Sequence, residues 1–162
     1  MLYMLHINRF ELLKPYKTEY ETCRLGKNND GGYVVIDLPN HEYNLLLSGG
    51  ISNDVSFEND FNKKYPNTKI NAYDASITKL PNDANDNIVF IKKYIGDVEN
   101  DMYTTLKSAI IPGIFVKTDI ESGEYPWFKI IDSDNINNFD QIVIELHAMD
   151  KEETYDIIEK YY

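Results

Sequence analysis

The sequence predicts an α/β protein built on a mostly parallel sheet. Two observations carry that expectation. From Tyr43 onward, apolar runs of strand length alternate with segments whose apolar residues recur every three or four positions, the pattern of strands joined by crossover helices. Several runs end in glycines or carboxylates, and an open parallel sheet places its ligands at such strand ends. With 162 residues and 43% hydrophobic side chains, the chain is long enough to bury one real core and short for two. One domain over 1–162 is expected, with 1–40 as an N-terminal helix and hairpin extension and 41–162 as the core.

In chain order, Leu5 to Leu13 reads as a short helix stopped by Pro15, with Leu5, Phe10 and Leu13 on its inner face. Glu21 to Leu25 and Tyr33 to Leu38 read as a β-hairpin across Gly26 to Gly32, a run rich in residues that tolerate positive φ. Then come a strand at Tyr43 to Leu47, a helix at Ser52 to Tyr65, and strands at Lys69 to Tyr73 and Asn87 to Ile91. A helix at Val98 to Ile110, a strand at Ile114 to Thr118, a helix at Glu124 to Ile131, a strand at Gln141 to Leu146 and a helix at Lys151 to Tyr161 complete the order. Phe57, Phe61 and Tyr65 form a stripe four residues apart on the first core helix, which Ser52 or Asn53 can cap. Pro126 falls in the first turn of its helix, where a missing N–H costs nothing. Leu80 to Asn87 has no periodicity and reads as an exposed loop.

Charge narrows the partners. A net charge of −11 repels phosphate backbones and anionic lipid, so nucleic acid and membrane surfaces are excluded in favour of a small or cationic ligand. No apolar run approaches the ~20 residues that cross a bilayer, and Cys23 has no second cysteine to pair with. A cytoplasmic location is the expectation.

Four stretches carry candidate chemistry. Leu45 to Asn53 runs from a buried strand through Gly49-Gly50 into a helix start, letting a ligand approach bare backbone; a tight turn needing two glycines is the plain alternative. Asp74 ends the next strand about 25 residues on, where nucleoside-binding sheets keep a ribose-binding acid, or it is an ordinary strand-end cap. Asp119, Glu121, Glu145 and His147 cluster at the ends of two later strands, with Glu145 and His147 on one face by their spacing of two. They suit a general base at His147, a divalent-cation site, or a satisfied structural network. Lys117 and Trp127 read as a snorkelling cation and core packing. Arg24, beside a loop that carries Asp30, reads as a lid or substrate contact or else as part of the hairpin turn.

Taken together, Arg24-Leu25-Gly26 with Asp30-Gly31-Gly32-Tyr33-Val34, then Ser48 to Glu58, then Lys117 to Glu124, then Gln141 to His147 resemble in order the FkbM-like methyltransferases. The resemblance implies a Rossmann-like fold and an S-adenosylmethionine-dependent O-methyltransferase acting on a small hydroxylated acceptor such as a sugar. It further implies that Gly49, Gly50, Ser52, Asp74 and Asp97 bind the cofactor and that Asp119, Glu145 and His147 serve catalysis. Arg24, Asp30 and Glu121 would meet the substrate. Ser122 stands where the family has glycine, which alters the loop. The family's fold also has two further strands after the one ending at His147, whereas this sequence reaches Tyr162 after one helix. The expectation is therefore a core lacking those C-terminal strands, whose last strand is an edge covered by the hairpin or by a second copy in a homodimer. The alternative function is a non-catalytic relative that binds the cofactor or serves as a partner subunit.

Overall fold

The apolar runs from Leu45 onward become one sheet. The computed structural model describes residues 14, 17–149 and 151–159; the helix expected at Leu5 to Leu13 lies outside them. The first elements are β1 (Thr22–Leu25) and β2 (Tyr33–Ile36), an antiparallel hairpin. The core then runs β3 (Leu45–Gly49), α1 (Ser56–Lys64), β4 (Lys69–Tyr73), β5 (Ile88–Ile91), β6 (Tyr94–Ile95), β7 (Tyr103–Thr104), β8 (Ile114–Thr118), α2 (Glu124–Ile130), α3 (Ser133–Ile136), β9 (Phe139–Ile144) and α4 (Glu152–Glu159). Five strands pair in the order β5-β4-β3-β8-β9, all parallel. The order reverses between β3 and β8, so their C-terminal ends diverge to either side of a crevice, which is where such sheets bind ligands.

Strand alternation divides the core into two layers. Leu46 and Phe115 face α1 and the hairpin, where Phe57, Phe61, Tyr65, Leu25 and Val35 bury them. Leu45, Leu47, Ile114 and Val116 face the other way, against Trp127, Ile131, Leu106 and Ile95. Both faces of β3 and β8 are covered, which explains why these strands are continuous apolar runs. Tyr43 precedes β3 and is the hub of an aromatic cluster, with ring centroids 5.0 Å from Tyr65, 5.2 Å from Phe115 and 5.7 Å from Phe61. Trp127 is fully buried, and its Nε1 donates to the Thr105 carbonyl at 3.0 Å.

Three expectations change. The helix at Val98 to Ile110 does not form; β7 and a 3-10 turn at Lys107–Ala109 stand there instead. The cause is local capture of backbone donors: Asn100 Oδ1 accepts from Met102 N and Tyr103 N, and Glu99 Oε2 accepts from Thr105 N, removing N–H groups a helix would have used. The first core helix starts at Ser56 rather than Ser52, since the Ser52 N–H goes to Asp74 and Asp54 Oδ1 accepts from Ser56 N at 2.9 Å. The hairpin does not extend the sheet at β9. It packs over the sheet face and reaches β9 through the Gln141 side chain, which accepts from Ile36 N at 2.7 Å and donates to Ile36 O at 3.1 Å. Among the described residues no strand pairs with the outer edge of β9.

Candidate functional site

At the C-terminal end of β3 the chain turns sharply beside the tip of β8. Gly50 has φ 73°, and a Cβ there would collide with the Asp119 carbonyl, so only glycine allows this approach of loop to strand. Two buried groups hold the turn from below. Lys117, 4% exposed, donates Nζ to Gly50 O at 2.8 Å and Gly49 O at 3.2 Å. Glu58 from α1 is also buried and accepts from the Ser48 hydroxyl. Burial drives the Glu58 carboxyl above its ordinary range, while the positive Lys117 opposes the rise. Lys117 is thus a fixed internal cation, not a snorkelling one.

Asp74, at the end of β4, braces the same turn. Its Oδ2 accepts from Ser52 N at 2.8 Å and its Oδ1 from Ser76 N at 2.7 Å and Ser76 Oγ at 2.6 Å. Ser52 is held at φ 43°, a conformation that a non-glycine residue keeps only under such constraint. A carboxylate oxygen has two acceptor directions, so Oδ2 retains one for a ligand.

The acidic tips converge opposite. Asp119 follows β8 and Glu145 follows β9, and the Tyr33 hydroxyl reaches Asp119 Oδ2 at 2.7 Å and Glu145 Oε2 at 3.2 Å. His147 lies with Nδ1 3.2 Å from Glu124 Oε1 and Nε2 3.7 Å from Asp119 Oδ1 and 3.6 Å from Glu121 Oε2. Burial would lower the proton affinity of the imidazole, but the Glu124, Glu121 and Asp119 charges outweigh it and raise the pKa above the ordinary 6.5. Glu124 is wholly buried at the start of α2, where Oε1 also accepts from Ile120 N at 2.8 Å. Glu121 and Ser122 both have positive φ, 54° and 73°, so the loop between β8 and α2 is strained where the sequence has serine instead of glycine.

These groups enclose a cavity of about 720 Å³, within the size range of small-molecule sites. Gly50, Ser52 and Asp74 line one side, and Asp30, Asp119, Glu121, Glu145 and His147 line another. Tyr94 and Tyr103, with ring centroids 5.5 Å apart, and Lys93 close the third. Three of the expected site residues are not part of the lining. Gly49 lies just beneath the turn, against Ile95. Asp97 is exposed beyond β6. Arg24 is turned into its own hairpin, donating to the carbonyls of Lys27, Asn29 and Gly32 at 2.7, 2.7 and 2.8 Å, so this arginine clamps the glycine loop.

Two sets of side-chain atoms lie within 4.8 Å of one another, Asp119 with Glu121 and His147, and Asp30 with Asp119 and Glu145. For a divalent cation the first set is handicapped, because a metal needs neutral imidazole and His147 favours its proton. In the second, Tyr33 already engages both Asp119 and Glu145. Tyr33, Lys117 and Glu124 are the residues that sequence reasoning did not assign to the site. A tyrosine after paired glycines and an acid after Gly123 were the only signals available.

No family model, no curated protein and no solved structure matches this chain.

Proposed function

We propose that this chain is an S-adenosylmethionine-dependent O-methyltransferase of the FkbM-like type, acting on a small hydroxylated acceptor such as a sugar. The observation that carries the reading is the cavity at the crevice between β3 and β8, with a glycine turn and a strand-end aspartate on one side and two strand-tip carboxylates on the other. The residues fit the cofactor. The cavity is large enough, the glycine turn admits close backbone approach, and its five lining carboxylates favour a ligand that carries positive charge.

Gly50, Ser52 and the free acceptor direction of Asp74 would hold the methionine and ribose portions. Bound there, the cofactor would supply an electrophilic methyl group for transfer to the acceptor oxygen. Asp119 and Glu145 lie where they can align the acceptor hydroxyl and take its proton. His147 changes role from the expectation. The neighbouring carboxylates raise its pKa, so it would serve as a cation held by Glu124 beside Asp119 and Glu121 rather than as the base.

The test is transfer of a tritiated methyl group from S-adenosylmethionine across a panel of hydroxylated small molecules, wild type against Asp119→Asn. Label recovered in an acceptor with wild type and reduced at least tenfold in the variant supports the reading. Cofactor binding with no transfer to any acceptor would favour the non-catalytic alternative.

A further inference from the structure

Tyr33 begins β2 and takes no part in the reading above beyond its contacts. Its ring is anchored on two sides, edge-on to Phe57 with centroids 5.7 Å apart and with Lys117 Nζ 5.3 Å from its centroid. That anchoring aims the hydroxyl between the tips of β8 and β9, at Asp119 and Glu145. Asp30, from the loop that leads into β2, brings a third carboxylate within 4.8 Å of both. Lys117 lies beneath, and His147 approaches Asp119 from the far side. A phenol has one proton, so at any moment it can satisfy only one of the two carboxylates and leaves the other open as an acceptor. Burial, followed by the neighbouring acids, pushes ionisation of the phenol far up, so the donor is present throughout the physiological range.

We propose that Tyr33 is a positioning residue: its hydroxyl yokes Asp119 and Glu145 into a pair that shares one donor, so that the N-terminal hairpin completes the acceptor side of the site. What the pair acts on rests on the methyltransferase reading; the yoke itself does not. The hairpin is then more than cover for the core, since it supplies the hydrogen bond that decides which strand-tip carboxylate is free.

Tyr33→Phe in the full chain removes the hydroxyl and keeps the ring, and Tyr33→Leu removes both. With Tyr33→Phe, affinity for S-adenosylhomocysteine should stay within about twofold and KM for S-adenosylmethionine should be unchanged, while kcat falls about tenfold or more, the size expected for losing one aligned charge-assisted hydrogen bond. A hairpin that was only a structural cover would change binding and KM along with kcat, as Tyr33→Leu is expected to do. A wild-type kcat in Tyr33→Phe overturns the proposal, as does a variant whose KM and kcat change together. If wild type turns over none of the acceptors, thermal unfolding of Tyr33→Phe, Asp119→Asn and the double variant decides. Shifts that depart from additivity by about 2 °C or more support the yoke, and additive shifts overturn it. Failure of wild type to bind S-adenosylhomocysteine counts against the function and leaves this unfolding test intact.

Discussion

Lys117→Met is the perturbation whose cost the structure fixes most tightly. The ammonium is 4% exposed, donates to two carbonyls of the glycine turn at 2.8 and 3.2 Å, and faces a carboxyl on Glu58 that is 1% exposed. Methionine keeps most of the chain length and loses the charge. Both carbonyls then lose their donor, and Glu58 retains the Ser48 hydroxyl but no positive neighbour. Leaving both carbonyls without their charge-assisted donor costs about 3–5 kcal/mol, taking roughly 1.5–3 kcal/mol for each hydrogen bond. In a chain of this size 1 kcal/mol corresponds to about 2–4 °C, so the midpoint should fall by about 6–20 °C.

The cost should also depend on pH. Glu58 has its folded-state pKa raised, so its favourable contribution is fully present below the unfolded value near 4.5 and is lost as pH rises through the folded value. Removing Lys117 takes away the charge that opposed that rise, so the deficit should be largest at neutral pH and shrink toward about pH 4.5. Urea unfolding followed by circular dichroism at pH 7 and pH 5 measures both effects. Lys117→Met with Glu58→Leu should lose the pH dependence of the deficit and keep the part due to the two carbonyls, which still lack a donor. A single variant within about 1 kcal/mol of wild type at pH 7 would refute Lys117 as the donor that holds the turn, and a deficit equal at pH 7 and pH 5 would refute its influence on Glu58.

Other perturbations reach other parts of the site. Asp74→Ala removes three hydrogen bonds, one of which holds Ser52 at positive φ, so it should weaken S-adenosylhomocysteine binding and also lower stability by about 1.5–3 kcal/mol; unchanged affinity in calorimetry would remove it from the cofactor side. Ser122→Gly relieves a left-handed serine, worth about 1–2 kcal/mol less the added chain entropy of glycine, and should raise the unfolding midpoint by a few degrees; a lower midpoint would contradict the strain at that loop. The raised His147 pKa means that its stabilising contribution is fully present below about pH 6.5 and is lost as pH rises through the folded value. The midpoint gap between wild type and His147→Gln should therefore narrow from pH 6 to pH 9, and a constant gap would show that the Glu124 contact does not hold the imidazolium.

The sheet was legible because its central strands, β3 and β8, are buried on both faces and read as continuous apolar runs. Lys69 to Tyr73 and Ile114 to Thr118 are strands over those same residues, and the remaining sheet strands begin or end within two or three positions of their apolar runs. Val98 to Ile110 misled because its apolar spacing resembles a helix while Glu99 and Asn100 capture nearby N–H groups, an effect no periodicity reveals. At the site, Asp74, Asp119, Glu145 and His147 could be picked out because polar residues at the ends of buried strands stand out. Tyr33 could not, since its partners lie 86 and 112 residues away and only the folded hairpin brings them together. Arg24 stood out for its charge, yet its donors close a loop within eight residues of itself. Lys117 in sequence is one polar residue at a strand end, and its burial depends on α1 and the hairpin packing on the same face.

Calorimetric titration of the full chain with S-adenosylhomocysteine and S-adenosylmethionine, with and without magnesium, tests the central claim most directly. Saturable binding of one equivalent in the micromolar range, weakened by Asp74→Ala and insensitive to magnesium, is the expected result. Absence of saturable heat with both ligands under both conditions would contradict the cofactor assignment of the cavity between β3 and β8.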